Sequence, residues 1–143
     1  MLSNWFILKT LCRFALAWTT VLLLCLTLPA RGEVYAWDNE QRIVAIGDVH
    51  GAYEAFVELL QTNDLIDDQL NWRGGNTHMV NVGDLLDRGA QSRKVMDLLI
   101  KLQPQAEKAG GRVHVLLGNH ELMNLTGDLR DVSAEELAAF MSS

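Results

Sequence analysis

Three short polar blocks carry residues that could do chemistry together. Asp48 and His50 lie in residues 47–51, Asp84, Asp87 and Arg88 in residues 83–89, and Asn119 and His120 in residues 118–121. Carboxylate, imidazole and amide oxygen donors make a ligand set suited to Mn²⁺, Fe or Zn²⁺, and a carboxylate such as that of Asp84 can bridge two ions. Two ions about 3.5 to 4 Å apart can hold a hydroxide and polarise a phosphoryl group for in-line attack. Arg88, with its planar fork of donors, would clamp phosphate oxygens. His120 would protonate the leaving oxygen, and Asp87 is the carboxylate chosen to fix its tautomer and raise its basicity. Singly, each block has a plainer reading: Gly-Asp after a strand is a turn, Asp-Arg a surface ion pair, Asn-His a strand end. The coincidence of all three is what favours a site.

For these residues to meet, the chain must bring three loops to one place. The apolar run Ile43–Ile46, ended by Gly47, reads as a buried strand. Tyr53, Phe56, Val57 and Leu60 recur at helical spacing opposite Glu54, Glu58 and Gln61, a helix that ends at Asn63 and Asp64. Residues 77–82 form the second strand. A second helix begins near Ser92 with the stripe Val95, Leu98, Leu99 and Leu102; Pro104 is expected to kink or end it, and Gly110-Gly111 to break the chain before a third strand over 112–117. Strands alternating with helices imply an α/β fold, βαβαβ, with parallel strands and right-handed crossovers. Each polar block then follows the carboxyl end of a strand, the sheet edge at which such folds bind ligands.

Other residues are excluded by the same layout. On an extended strand His114 stands about 16 Å from the site, and His78 is similarly distant from Asp84, so both read as strand residues with local hydrogen bonds. Arg130 is as readily paired with Asp128 or Asp131 as with a phosphate. Trp72, beside glycines, reads as core cover more than as a pocket wall.

Composition bounds the rest. The 143 residues are 49% hydrophobic and 21% charged with a net charge of −6, which suits one globular domain. No basic cluster is present to displace counterions from phosphates, so nucleic acid is not expected as a partner. Lys9 and Arg13 precede an uncharged apolar run over 14–28 and then Pro29-Ala30, the layout of a secretory signal, with cleavage after Ala30 or Ala36. Residues 1–36 are therefore read as a signal peptide or an uncleaved anchor, and the protein as exported to the periplasm or cell envelope, touching membrane only if the leader stays. Both cysteines, Cys12 and Cys25, fall in that leader. The domain that remains, residues 37–143, has no thiolate ligands and no disulfides.

The three blocks match the signatures GDxHG, GDxxDRG and GNHE, and the chain resembles the calcineurin-like metallophosphoesterases, in particular the phosphoprotein-phosphatase branch. The wording around them, residues 72–78, 116–121 and 127–130, is most similar to the bacterial Shewanella-like protein phosphatases. The resemblance covers residues 42 to about 132. It implies a four-layer αββα sandwich of which this chain is the amino-terminal half, and a cofactor of two divalent metal ions (Mn, Fe or Zn). Asp48 and His50 would bind the first metal, Asp84 would bridge, and Asn119 would bind the second. Arg88, Asn119 and His120 would face the substrate phosphate, with His120 and Asp87 as the acid pair. The implied substrate is a phosphorylated protein, on Ser/Thr or Tyr.

Such families complete the second metal site with two histidines, and the phosphate clamp with another arginine, from the half that follows these motifs. The domain is therefore read as truncated at its carboxyl end, where Ser133 and Glu136 match a capping box and Val132 and Leu137 the staple positions of one more helix. Three alternatives stay open at this point: hydrolysis of a small phosphoester or dinucleoside polyphosphate, an inactive fragment that only binds metal or phosphate, and a membrane-tethered interaction domain.

Overall fold

The parallel sheet is set by three short strands. In the computed structural model, which describes residues 41–141, these are β1 (Ile43–Ile46), β2 (His78–Asn81) and β3 (Arg112–Val115). They run in the order β1-β2-β3, with Ile46 opposite Asn81 and Asn81 opposite Val115, so all three carboxyl ends lie along one edge. Helix α1 (Tyr53–Thr62) joins β1 to β2, and α2 (Ser92–Lys108) joins β2 to β3. Two shorter helices follow, α3 (Asn119–Leu125) and α4 (Ala134–Met141). The leader expected over residues 1–36 lies outside the described residues, and no described helix is long and apolar enough to cross a membrane.

The core forms where the helical stripes meet the sheet. Phe56 and Leu60 of α1 and Val95, Leu98, Leu99 and Leu102 of α2 are buried with Met79 of β2 and Val113 of β3. α2 packs on β3 and also meets α1 and α4. Between α1 and β2, Leu65 and Ile66 are buried, and Ile66 forms an isolated antiparallel bridge with Trp72. Trp72 packs against this core and its indole N–H donates to Gly75 O at 3.0 Å, as the core-cover reading expects.

Pro104, expected to kink or end α2, does not end it, since the helix runs on to Lys108. A proline inside a helix removes the bond to the carbonyl four residues earlier and crowds that carbonyl. That residue, Ile100, is 62% exposed, on the solvent side of the helix, while Leu102 and Ala106 stay fully buried on either side of the proline. Core packing on the opposite face holds the helix through the lost bond. The break comes instead at Gly110, whose φ of +81° supplies the left-handed turn before β3.

The strands are also shorter than expected. β2 loses a residue at each end and β3 stops at Val115, although Leu116 N–H still donates to Asn81 O at 2.9 Å. Leu116 and Leu117 then turn outward and are exposed. At α4 only half of the expected capping box forms: Glu136 N–H donates to Ser133 Oγ at 3.1 Å, but the Glu136 carboxylate turns away to accept the backbone N–H of Asp87.

Candidate active site

The loops that leave β1, β2 and β3 are tied to one another through their backbones. His50 N–H donates to Asp84 O at 2.9 Å and Gly51 N–H to Leu85 O at 3.0 Å, joining the first loop to the second. The third joins through Glu121. Its carboxylate accepts four backbone N–H groups, from Asp84 (2.7 Å), Leu85 (2.8 Å), Leu86 (3.2 Å) and Gly118 (2.8 Å). The fit leaves no room for side chains at the crossing points. A Cβ on Gly118 would collide with the Asp84 carboxylate and amide nitrogen, and one on Gly83, at φ +103°, would collide with Gly118 backbone.

This knotting holds the chain in conformations that L-residues seldom adopt. Seven described non-glycine residues have positive φ, and five of them are Asp48, His50, Asp84, Asp87 and Arg88. Backbone strain of this kind, about 1–3 kcal/mol per residue, persists only where surrounding contacts over-determine it, and it gathers at functional sites.

The tight loops draw three donors together. His50, Asp84 and His120 each offer a ligand atom within 4.8 Å of the others. His50 Nδ1 lies 2.8 Å from Leu86 O. A carbonyl only accepts, so Nδ1 carries the proton and Nε2 keeps its lone pair. Nε2 is buried and has no hydrogen-bond partner among the described residues. A histidine fixed by a carbonyl on one nitrogen and open on the other is arranged as metal-ligating histidines are. Asp84 uses one oxygen, Oδ1, to accept His120 N–H at 2.9 Å, which leaves Oδ2 available.

His120 is 2% exposed and sits at the start of α3. Its Nδ1 donates to Asp87 Oδ2 at 2.8 Å, and its Nε2 accepts from Arg88 Nη2 at 3.0 Å. The His50 and His120 rings meet edge to face, 4.6 Å between centroids at 82°. Asp87 is fully buried, and its second oxygen accepts from Asn124 Nδ2 at 2.8 Å.

The remaining residues singled out in the sequence are not members of that three-residue group. Asp48 is exposed and outside the group of mutually close donors. Asn119 is exposed in the first turn of α3, with Nδ2 4.0 Å from Met123 Sδ. Arg130 pairs with Asp128, which holds the Asp128 carboxyl below its ordinary range and raises the guanidinium. His114 Nε2 and His78 Nδ1 pair with each other at 3.2 Å on neighbouring strands. Burial, then the charges of His78 and Arg112, lower the His114 pKa from its ordinary value.

Two structuring residues escaped the sequence reading. Glu121 stands in the third block, yet nothing local shows that its carboxylate gathers amides 35 to 37 residues away. Asn81, fully buried at the end of β2, accepts Gly83 N–H at 3.0 Å and so turns the chain into the second loop. A polar residue ending an otherwise apolar strand was the available signal.

Fold and site together define a class: a parallel α/β domain that gathers metal-capable donors and an imidazole–carboxylate pair at the carboxyl edge of its sheet. The chain belongs to the calcineurin-like phosphoesterase family, whose profile matches residues 41–140. It is 44% identical over 104 residues to Shewanella-like protein phosphatase 2 of Arabidopsis thaliana, covering 73% of this chain and 27% of that protein. Shewanella-like protein phosphatase 1 of Plasmodium berghei is 39% identical over 99 residues, 69% of this chain and 27% of the relative. Among solved structures, the cold-active protein-tyrosine phosphatase of a psychrophilic Shewanella species superposes with a TM-score of 0.68 at 44% identity, covering 72% of this chain and 31% of that one. The chain thus spans about 30% of the length of these relatives. The metallophosphoesterase family uses divalent metals, and Asp84 with His50, whose Nε2 is buried and open, fits such an ion, while both nitrogens of the neighbouring His120 are engaged by Asp87 and Arg88.

Proposed function

We propose that this chain contributes the metal-binding and proton-donating part of a metal-dependent phosphoprotein phosphatase, cleaving phosphomonoesters of Tyr or of Ser/Thr. The observation that carries this reading is the buried Nε2 of His50, without a partner among the described residues, on an imidazole grouped with Asp84 and His120 beside an acid pair that is already assembled. The relatives of 39% and 44% identity described above are named as protein phosphatases, which supports a phosphoprotein substrate, while more distant relatives of 32% to 38% identity are named as polyphosphate or dinucleoside-tetraphosphate hydrolases.

Divalent ions, by donor type Mn²⁺, Fe or Zn²⁺, would be held by His50 and Asp84 with Asp48 and Asn119 as further ligands, and would supply Lewis-acid polarisation of the phosphoryl group and activation of water. The chain's own residues account for the remaining steps. Arg88 carries five donors in a rigid fork, of which one contacts His120 in this structure. The others, which have no partner among the described residues, would clamp phosphoryl oxygens beside that imidazole. Protonation of His120 at Nε2 turns that atom from acceptor to donor, which releases Arg88 toward phosphate and places a proton where a leaving oxygen can take it. Asp87 Oδ2 stabilises the resulting imidazolium through Nδ1. The basic residues Lys9 and Arg13 ahead of the apolar run support action outside the cytoplasm, in the periplasm or cell envelope.

The test uses the full chain with Mn²⁺ on para-nitrophenyl phosphate and on phosphotyrosine and phosphoserine peptides. Metal-stimulated hydrolysis of both kinds of substrate, reduced to background by Asp84→Asn, is the expected result. Metal binding without turnover would overturn the reading for this chain, and turnover confined to a dinucleoside polyphosphate would replace the substrate class.

A further inference from the structure

We infer that Asn124 and Glu136, which lie outside all three motifs, are positioning residues for the acid pair, acting through Asp87 and not on the substrate. The inference rests on the proposed role of His120 and adds the groups that set its tautomer.

Asp87 has no exposure to water, so each of its carboxylate oxygens needs a donor from the protein. His120 Nδ1–H serves Oδ2, and Asn124 Nδ2 serves Oδ1 at 2.8 Å. A carboxylate held on one oxygen only could rotate about its Cβ–Cγ bond, and with it the imidazole proton would lose its fixed acceptor. Asn124 is well placed to prevent this because it sits one helical turn beyond His120 on α3, with Nδ2 also donating to His120 O at 3.0 Å. A single short helix therefore presents the imidazole and the amide to the same carboxylate.

Glu136 secures the backbone of the same residue. Asp87 stands at φ +70° and Arg88 at φ +65°, both left-handed. Glu136 Oε1 accepts Asp87 N–H at 3.1 Å across 49 residues, and the next amide, Arg88 N–H, donates to Asp131 O at 2.9 Å. Glu136 is itself 3% exposed and anchored by its N–H on Ser133 Oγ. The segment from α3 to the start of α4 thus grips Asp87 by side chain and by backbone, and Arg88 by backbone.

The test compares Asn124→Leu, which keeps the volume and removes the donor, with Glu136→Ala and Glu136→Gln, the last keeping an acceptor oxygen. Nitrogen-15 spectra of the His120 ring, recorded on the full chain without substrate, read the tautomer directly. The expected result is a single Nδ1–H form in the parent, mixed or exchanging forms in Asn124→Leu and Glu136→Ala, and recovery of the parent pattern in Glu136→Gln. On para-nitrophenyl phosphate kcat should fall about tenfold to a hundredfold in the first two, with KM and Mn²⁺ affinity held and the acid limb of the pH profile displaced. An unchanged His120 tautomer in both variants would overturn the inference, and so would equal losses of kcat and Mn²⁺ affinity, which mark a purely structural role. A parent chain without turnover would refute the phosphatase reading alone, since the tautomer is read without substrate.

Discussion

At the scale of single residues, His120 is controlled from both of its nitrogens. Asp87 fixes the proton on Nδ1, and Arg88 Nη2 donates to Nε2. Replacing Asp87 by Asn keeps the size but lets the amide donate to Nδ1, which favours the opposite tautomer. The expected cost is about 10²-fold or more in kcat with little change in metal affinity. Steady-state kinetics beside a Mn²⁺ titration check this, and an undiminished kcat would remove His120 from the role of acid. The residues of this pair were legible in the sequence because their types are rare in combination and glycines bracket them. Glu121 and Asn124 were not, since a glutamate and an asparagine on a short helix look like solvent-facing residues. What they do depends on partners more than 30 residues away.

At the scale of elements, the site depends on loops locked together by Glu121 and by glycines too close to accept a side chain. Glu121→Gln would set an amide NH₂ against backbone donors now served by a carboxylate at 2.7 to 3.2 Å. Losing charge-assisted bonds to buried amides costs about 2–4 kcal/mol, which a fall in the urea midpoint would show together with weaker Mn²⁺ binding. Gly118→Ala acts more locally. Its methyl would displace Asp84, so metal affinity should fall while most of the stability is retained; a parent-like affinity would show that the loops are looser than described. The parallel strands and the two long helices followed from the alternation of strand and helix patterns. Helix α3 did not, because its seven residues carry no apolar stripe and Leu122 and Leu125 are both exposed. Pro104 misled for the complementary reason: burial on one face outweighed a broken bond on the other.

At the scale of the whole molecule, pH acts through a group far from the chemistry. His114 is held below its ordinary 6.5, first by burial and then by His78 and Arg112. The unfolded chain therefore binds a proton at a pH where the folded chain still does not. Stability is fully present above about 6.5 and declines as pH falls through it. Urea midpoints at pH 7.5 and 5.5 should show this decline, and His114→Gln should flatten it. A midpoint that rises toward acid would contradict the assignment.

The claim on which the account turns is that three loops, separated by more than 30 residues each, close on one metal-binding centre. Electron paramagnetic resonance of Mn²⁺ with the full chain tests it without any substrate. Binding should weaken tenfold to a hundredfold or more in His50→Gln and in Asp84→Asn, and stay at the parent level in His114→Gln, whose imidazole pairs with His78 instead. Equal affinity in all four proteins would show that the open nitrogen of His50 is not a ligand and that the centre described here does not form.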